Sequence, residues 1–278
     1  MISTLEKTNQ MVSAEEVKAV TSTLKIKYGI DFTNYEMSSL TRGLNRVLLK
    51  HRMTGTLELW SRLLKDREFL VTFIDDMTVN LTELFRNPDF WQEVHEILTS
   101  FFQYKTLKVW HAGCSSGEEV YTMAILLSEL GLTLRSNLTG TDLSSRVLEV
   151  AAKGDYFSHR HKYKDSLSKT FEHFDVNKYF DEDATKFEIK STLKKNITWK
   201  KNNLVMDQPI GKYNMIFCRN VMIYFDDALK LKVMEKFYNS LEDDGFFIIG
   251  YYDMMPQGYD KFFENFNPRC RIYKKKSA

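Results

Sequence analysis

A short apolar strand that runs into a glycine turn and then a helix is a layout few folds supply, and residues 108–130, KVWHAGCSSGEEVYTMAILLSEL, have it. Val109 and Trp110 lie in the strand, Gly113 and Gly117 in the turn, and the helix opens on Glu118 and Glu119. Open α/β sheets bind nucleotide-type ligands on this crossover, where glycine lets the backbone bend sharply and approach the ligand. The two carboxylates narrow the choice of ligand. A phosphate cradle wants backbone N–H groups and a lysine, and carboxylates in that place repel it, so the turn expects a cation or a hydroxyl-rich group.

The alternation of strand and helix continues beyond the turn. Residues 138–142, LTGTD, form a second strand that ends in Asp142, 25 residues after Gly117 (142 − 117). That is close to where a dinucleotide or adenosyl site places the acid for the ribose hydroxyls, so Asp142 is a ligand candidate. A helix over 144–153 closes at Gly154, and strands are expected at 197–200, 213–217, 246–249 and 270–273, with an amphipathic helix near 226–241. Residues 155–195 are irregular apart from one strand at 187–189, and read as an insertion, a small β subdomain. His159, His161 and His173 have no helical metal-binding spacing, and no metal is expected.

Before the turn the first 77 residues are helical. Ser13 and Glu16 make a capping box, Gly29 stops the first helix, and a second helix over 37–52 places Leu40, Leu44, Val47 and Leu48 on one face. Arg42, Arg46 and Lys50 follow one another at i, i+4 and i+8 on the other side, as either a solvated face or a docking stripe for an acidic partner. Helices at 57–64 and 68–77 complete a small bundle. Residues 78–86, TVNLTELFR, break the helical pattern and gather Asn80, Thr82 and Arg86, and Asn87-Pro88 is expected to cap the next helix.

A length of 278 residues with 43% apolar content allows one large domain or two smaller ones, and a net charge of +2 argues against wholesale nucleic-acid binding. Cys114, Cys218 and Cys270 are odd in number and widely spaced, which suits a reducing cytoplasm better than a disulfide framework or a CxxC site. The N-terminal residues lack a signal-peptide pattern, and no apolar run approaches the roughly 20 residues of a membrane span. Residues 113–117 do satisfy the GxSxG nucleophile elbow, but helices rather than strands precede them and the last histidine, His173, lies far from the chain end. A nicotinamide dehydrogenase is disfavoured because the turn lacks GxGxxG spacing and its acids would face a pyrophosphate.

NLTELFR, VWHAGCSSGEEVYTMAI, GTDLSSRVLEVAAKGDYF, the pair Asn203-Leu204 and IFCRNVMIYFD stand in the order found in the CheR family of chemotaxis protein methyltransferases, which nearly the whole chain resembles. The resemblance implies an α/β fold, a Rossmann-like class I S-adenosylmethionine-dependent methyltransferase with a mostly parallel sheet. A helical N-terminal domain over 1–77 would precede the methyltransferase domain over 78–278, with the β subdomain inserted at about 155–195. It implies transfer of a methyl group to glutamate side chains on cytoplasmic chemoreceptor helices, giving the γ-methyl ester and S-adenosylhomocysteine in sensory adaptation. By the family pattern Asp142 takes the ribose hydroxyls, Glu118 and Glu119 serve the cationic end of the cofactor, and Asn203 and Leu204 flank the adenine. Arg219 and Asn220 follow at the sheet edge, Asn80, Thr82 and Arg86 close the site, and Arg86 and Tyr224 orient the reacting groups.

The resemblance also makes acidic receptor helices the partner expected for Arg42, Arg46 and Lys50, and in some members the inserted subdomain captures a receptor C-terminal peptide as an added strand. One departure stands out: the family's GHSE-like sequence is replaced by Gly250-Tyr251-Tyr252-Asp253, which alters the pocket wall. Two other readings fit the same cofactor motifs: a methyltransferase of this fold for another protein or a small molecule, and a cofactor-binding regulatory module without catalysis.

Overall fold

The computed structural model describes residues 12–77, 82–103, 105–170, 175–208 and 210–277. The chain divides between residues 79 and 80 into two compact units. In the first, four helices follow one another: α1 (Ala14–Tyr28), α2 (Met37–Lys50), α3 (Thr56–Lys65) and α4 (Arg67–Met77). The Ser13 hydroxyl accepts from the Glu16 amide and Glu16 returns the bond, while Gly29, at φ 68°, ends α1 in the left-handed conformation.

Helix α2 buries Leu40, Leu44 and Val47, and its basic residues have three different settings. Arg42 is exposed and donates to Ser39. Arg46 donates to the carbonyls of Asp76 and Met77 at 2.8 and 2.9 Å, satisfying acceptors that the C-terminus of α4 leaves open. Lys50 and His51 grip the two oxygens of the buried Asp76 at 2.5 and 2.7 Å. Burial opposes ionisation of Asp76, and these two partners outweigh it and hold the carboxyl below its ordinary value.

The second unit begins with α5 (Pro88–Phe101), β1 (Leu107–Ala112), α6 (Glu118–Glu129), β2 (Ser136–Asp142) and α7 (Ser145–Lys153). Next come α8 (Arg160–Thr170), α9 (Val176–Tyr179), β3 (Phe180–Glu182), β4 (Phe187–Ile189) and α10 (Ser191–Lys194). The unit ends with β5 (Ile197–Lys201), β6 (Tyr213–Cys218), α11 (Asp227–Ser240), β7 (Leu241–Ile249), β8 (Phe263–Asn267) and β9 (Ile272–Lys275).

Seven of the strands make one sheet in the order β5-β2-β1-β6-β7-β9-β8. The first five are parallel, and β9 and β8 extend the sheet antiparallel beyond β7. From β1 the chain proceeds outward to β2 and β5 on one side and to β6 and β7 on the other, so the order reverses between β1 and β6. Ligands of open α/β sheets bind at the carboxyl ends beside such a switch point. β1 is buried at five of its six positions, and Trp110 within it donates from its indole N–H to Thr141 at 2.9 Å.

Between α7 and β5 the chain is more helical than its sequence suggests. The β component there is the antiparallel pair β3–β4, three residues in each strand, and α8 precedes it. Among the described side chains of α8, Tyr163 and Leu167 are the buried ones, four apart on an otherwise polar helix, too sparse an apolar stripe to show a helical period. The last predicted strand moves from 270–273 to Ile272–Lys275, and β8 was not predicted; both gain their pairing from β7 and from each other.

On β2, Gly140 stands opposite Trp199 of β5, and a Cβ there would lie 2.5 Å from the indole ring. We expect Gly140→Ala to lower the stability of this unit by about 1–3 kcal/mol, the usual cost of overpacking, seen as an earlier denaturant midpoint in tryptophan fluorescence.

Candidate active site

The carboxyl ends of the parallel strands carry the residues singled out from the sequence. After β1 the turn holds Gly113 at φ 75°, where a Cβ would strike Val221 at 2.4 Å, and Gly117 at φ 92°. Ser115, also left-handed at φ 50°, donates its amide to Asp142 Oδ2 at 2.9 Å, and the Ser144 amide donates to Oδ1 at 3.0 Å. Asp142, at the end of β2 and nearly buried, is thus fixed in plane by two backbone donors. A carboxylate has about four acceptor positions, all suited to hydroxyls. The buried Ser115 hydroxyl has no hydrogen-bond partner among the described residues, an orphan polar group beside that acid.

Glu118 and Glu119 are adjacent in sequence and have opposite surroundings. Glu118 is buried, with one oxygen accepting from the Ser116 hydroxyl at 2.7 Å and the other from the Tyr163 hydroxyl at 2.8 Å. Burial nevertheless raises its carboxyl above the ordinary value. Glu119 also loses solvation, but His111 at 2.9 Å and the Arg219 guanidinium at 3.1 Å hold it ionised and below the ordinary value.

Arg219, at the end of β6, is buried; both terminal nitrogens of its guanidinium are engaged in this network, while its buried Nε has no hydrogen-bond partner among the described residues. Besides Glu119 it donates to Asn87 Oδ1 at 2.8 Å and to the Arg86 carbonyl at 3.4 Å, and its guanidinium lies 4.1 Å from the centre of the Phe90 ring. Asn87 therefore does not cap α5 with its side chain as expected from Asn87-Pro88; it sits at φ 65° and gives its oxygen to Arg219, while Pro88 does open the helix. Arg86 and Thr82 are half-buried, as is Tyr224 on the short 3-10 turn Met222–Tyr224. Asn80 lies outside the described residues.

After β5, Asn203 accepts from the amides of Val205 and Met206 and so builds the turn that buries Leu204. Asn220, at φ 60°, donates its backbone N–H to Asp253 Oδ2. Asp253 is wholly buried and also accepts from the amides of Gly250 and Ile223, so the loops after β6 and β7 are joined through one carboxylate. Tyr251 packs against the core and Tyr252 stands 76% exposed.

Sequence reasoning passed over Ser115, His111, Tyr163 and the clamping role of Asp253. The left-handed turn could have flagged Ser115; the others depend on partners distant in the chain. Among the described residues no group of three or more His, Cys, Asp or Glu is placed to hold a metal. None of the helices described is long and apolar enough to cross a membrane.

A reversed-order parallel sheet whose ligand edge carries an orphan hydroxyl, a backbone-fixed aspartate and two glutamates is hostile to phosphate and suited to a cationic, ribose-bearing cofactor. These features define an S-adenosylmethionine-dependent methyltransferase. The chain belongs to the CheR methyltransferase family: the S-adenosylmethionine-binding domain of that family matches residues 80–270, and its all-alpha domain matches residues 15–78. A Pseudomonas putida protein provisionally named methyltransferase Cher3 is 30% identical over 94% of this chain and 96% of its own length. The chemotaxis protein methyltransferase of Listeria monocytogenes is 29% identical over 83% of this chain and 86% of its own, and that of Borreliella burgdorferi 34% identical over 66% and 67%.

Because the folded state holds Glu119 below its ordinary value of 4.5, the stability it contributes is complete above that pH and is lost progressively as pH falls from there through the lower folded value. Glu119→Gln should cost about 3–5 kcal/mol at pH 7, where it strips a buried guanidinium of its counter-charge. The gap between the variant and the parent chain should narrow as urea unfolding is repeated below pH 4.5.

Proposed function

We propose that this chain methylates glutamate side chains on the cytoplasmic helices of transmembrane chemoreceptors, giving the γ-methyl ester and S-adenosylhomocysteine, and that it does so in the cytoplasm during sensory adaptation. The observation that carries the reading is the match of both family domains, in order, to a chain whose relatives include chemotaxis protein methyltransferases. The methyltransferase domain then spans residues 78–278 and follows a helical domain over 1–77.

When bound, S-adenosylmethionine supplies a methyl group on a positively charged sulfur. In this reading Asp142 holds the ribose hydroxyls with Ser115 beside it, Glu118 and Glu119 face the cationic amino-acid end, and Asn203 and Leu204 flank the adenine. Arg219 and Asn220 complete the wall, the former by fixing Glu119. Asn80, Thr82 and Arg86 close the site. A glutamate acceptor, with an ordinary pKa near 4.3, is already ionised at neutral pH, so no general base has to act on it. The protein's task is alignment and exclusion of water. Arg86 and Tyr224 orient the acceptor carboxylate or the cofactor, which would supply the methyl group to that carboxylate with no proton moved.

Receptor methylation helices are acidic, and Arg42, Arg46 and Lys50 are the docking residues assigned to them. Arg42 is the exposed member of the three without an acidic partner among the described residues of its unit, so the electrostatic attraction falls chiefly to it.

The reading is tested by transfer of labelled methyl from S-adenosylmethionine to a receptor cytoplasmic fragment. Base-labile label is expected, reduced about a hundredfold by Arg86→Ala, the scale for loss of one oriented donor. Label that survives alkali, or none despite cofactor binding, would turn the search to other acceptors.

A further inference from the structure

We propose that Tyr163, from the inserted helix α8, is a positioning residue for cofactor binding, because its hydroxyl holds the Glu118 carboxylate in place beside the glycine turn. The inference rests on the reading above in which Glu118 faces the cofactor. It adds an element that the turn motif does not contain, since Tyr163 lies 45 residues further along the chain.

The insert reaches the cofactor turn at two points. Tyr163 donates to Glu118 Oε1 at 2.8 Å, and Tyr156, just before α8, donates to the Ser116 carbonyl at 2.7 Å. Ser116 in turn donates to the other oxygen of Glu118, at 2.7 Å. Both tyrosines are buried, their rings meet edge to face at 5.6 Å, and His159 stacks on Tyr163. One residue before Tyr163, Lys162 pairs with Glu83 of the segment that leads into α5. Helix α8 therefore bears on both the turn and the segment beside Arg86.

A buried carboxylate bound by two hydroxyls is oriented as well as stabilised. Removal of one hydroxyl leaves an acceptor unsatisfied, lets the side chain rotate and favours its protonation. The groups facing Glu118 are Tyr163, Tyr156 and His159 of the insert, Tyr121 of its own helix, and Ser116 and Cys114 within the turn. Burial already raises the Glu118 carboxyl, and the Tyr163 bond lowers it. Loss of that bond moves protonation to higher pH, which weakens attraction for a cationic ligand over the same range.

The test is calorimetric titration with S-adenosylhomocysteine as a function of pH on the full chain and on Tyr163→Phe, Glu118→Gln, their double variant and Tyr179→Phe. The last removes a hydroxyl elsewhere in the insert, which donates to Glu129 at the far end of α6. Tyr163→Phe is expected to bind about tenfold more weakly at neutral pH and to shift the acid limb of binding up by about one unit. Glu118→Gln should remove that limb, the double variant should bind no worse than Glu118→Gln alone, and Tyr179→Phe should match the parent. Parental binding by Tyr163→Phe, or losses that simply add in the double variant with the acid limb unmoved, would overturn the proposal. Parental binding by Glu118→Gln would instead overturn the placement of Glu118 at the cofactor.

Discussion

The ligand edge of the sheet depends on the pairing of Arg219 with Glu119. A buried guanidinium keeps its charge only if an anion and hydrogen-bond acceptors replace the water it has lost. Glu119 supplies the anion, Asn87 and the Arg86 carbonyl supply acceptors, and Phe90 offers a ring face. His111 secures the far side of Glu119 from within β1. One ion pair thus ties two central strands, the first turn of α6 and the start of α5. The switch point where the sheet order reverses is therefore held from beneath by charge, and the ligand residues above it inherit a fixed frame.

What was legible in the sequence follows from local physics. The capping box of α1, the glycine turn after β1, the acid that ends β2 and the strands of the parallel sheet each depend on a few neighbouring residues, and the structure has them where they were expected. Asn87 was misread because an Asn-Pro pair signals a cap, whereas its oxygen goes to an arginine 132 residues away. Arg46 carries no mark in the sequence that it will cap α4. Helix α8 was hidden by its polarity and β8 by its dependence on β9. Of the candidate site residues, Asp142, Asn203, Leu204, Arg219 and Asn220 fall at the carboxyl ends of parallel strands or in the turns that follow them, and Glu118 and Glu119 at the start of the helix that follows β1. The residues that support them could not be read, since support comes from across the fold.

The three acids of this edge show how environment divides labour among like groups. Asp142 is held by backbone amides, Glu118 by hydroxyls and Glu119 by charge. Consecutive positions on a helix point in different directions, so Glu118 turns toward the insert and Glu119 toward the sheet. Burial dominates at the first and raises its carboxyl; an opposite charge prevails at the second and lowers it. Neighbouring carboxylates are thereby kept from titrating together.

Asp253 was conspicuous in the sequence only as a departure from the family's usual acid. Its carboxylate joins the loops after β6 and β7 through three backbone amides. Such a clamp uses main-chain donors, which every residue type but proline possesses, and leaves the intervening side chains unconstrained by it. Tyr252 projects from this anchored loop into solvent. The arrangement separates invention from maintenance: the rim of the sheet edge can acquire new side chains by single substitutions while the backbone that displays them stays in register. Substitutions can therefore accumulate at that loop without the sheet edge that it adjoins having to be rebuilt.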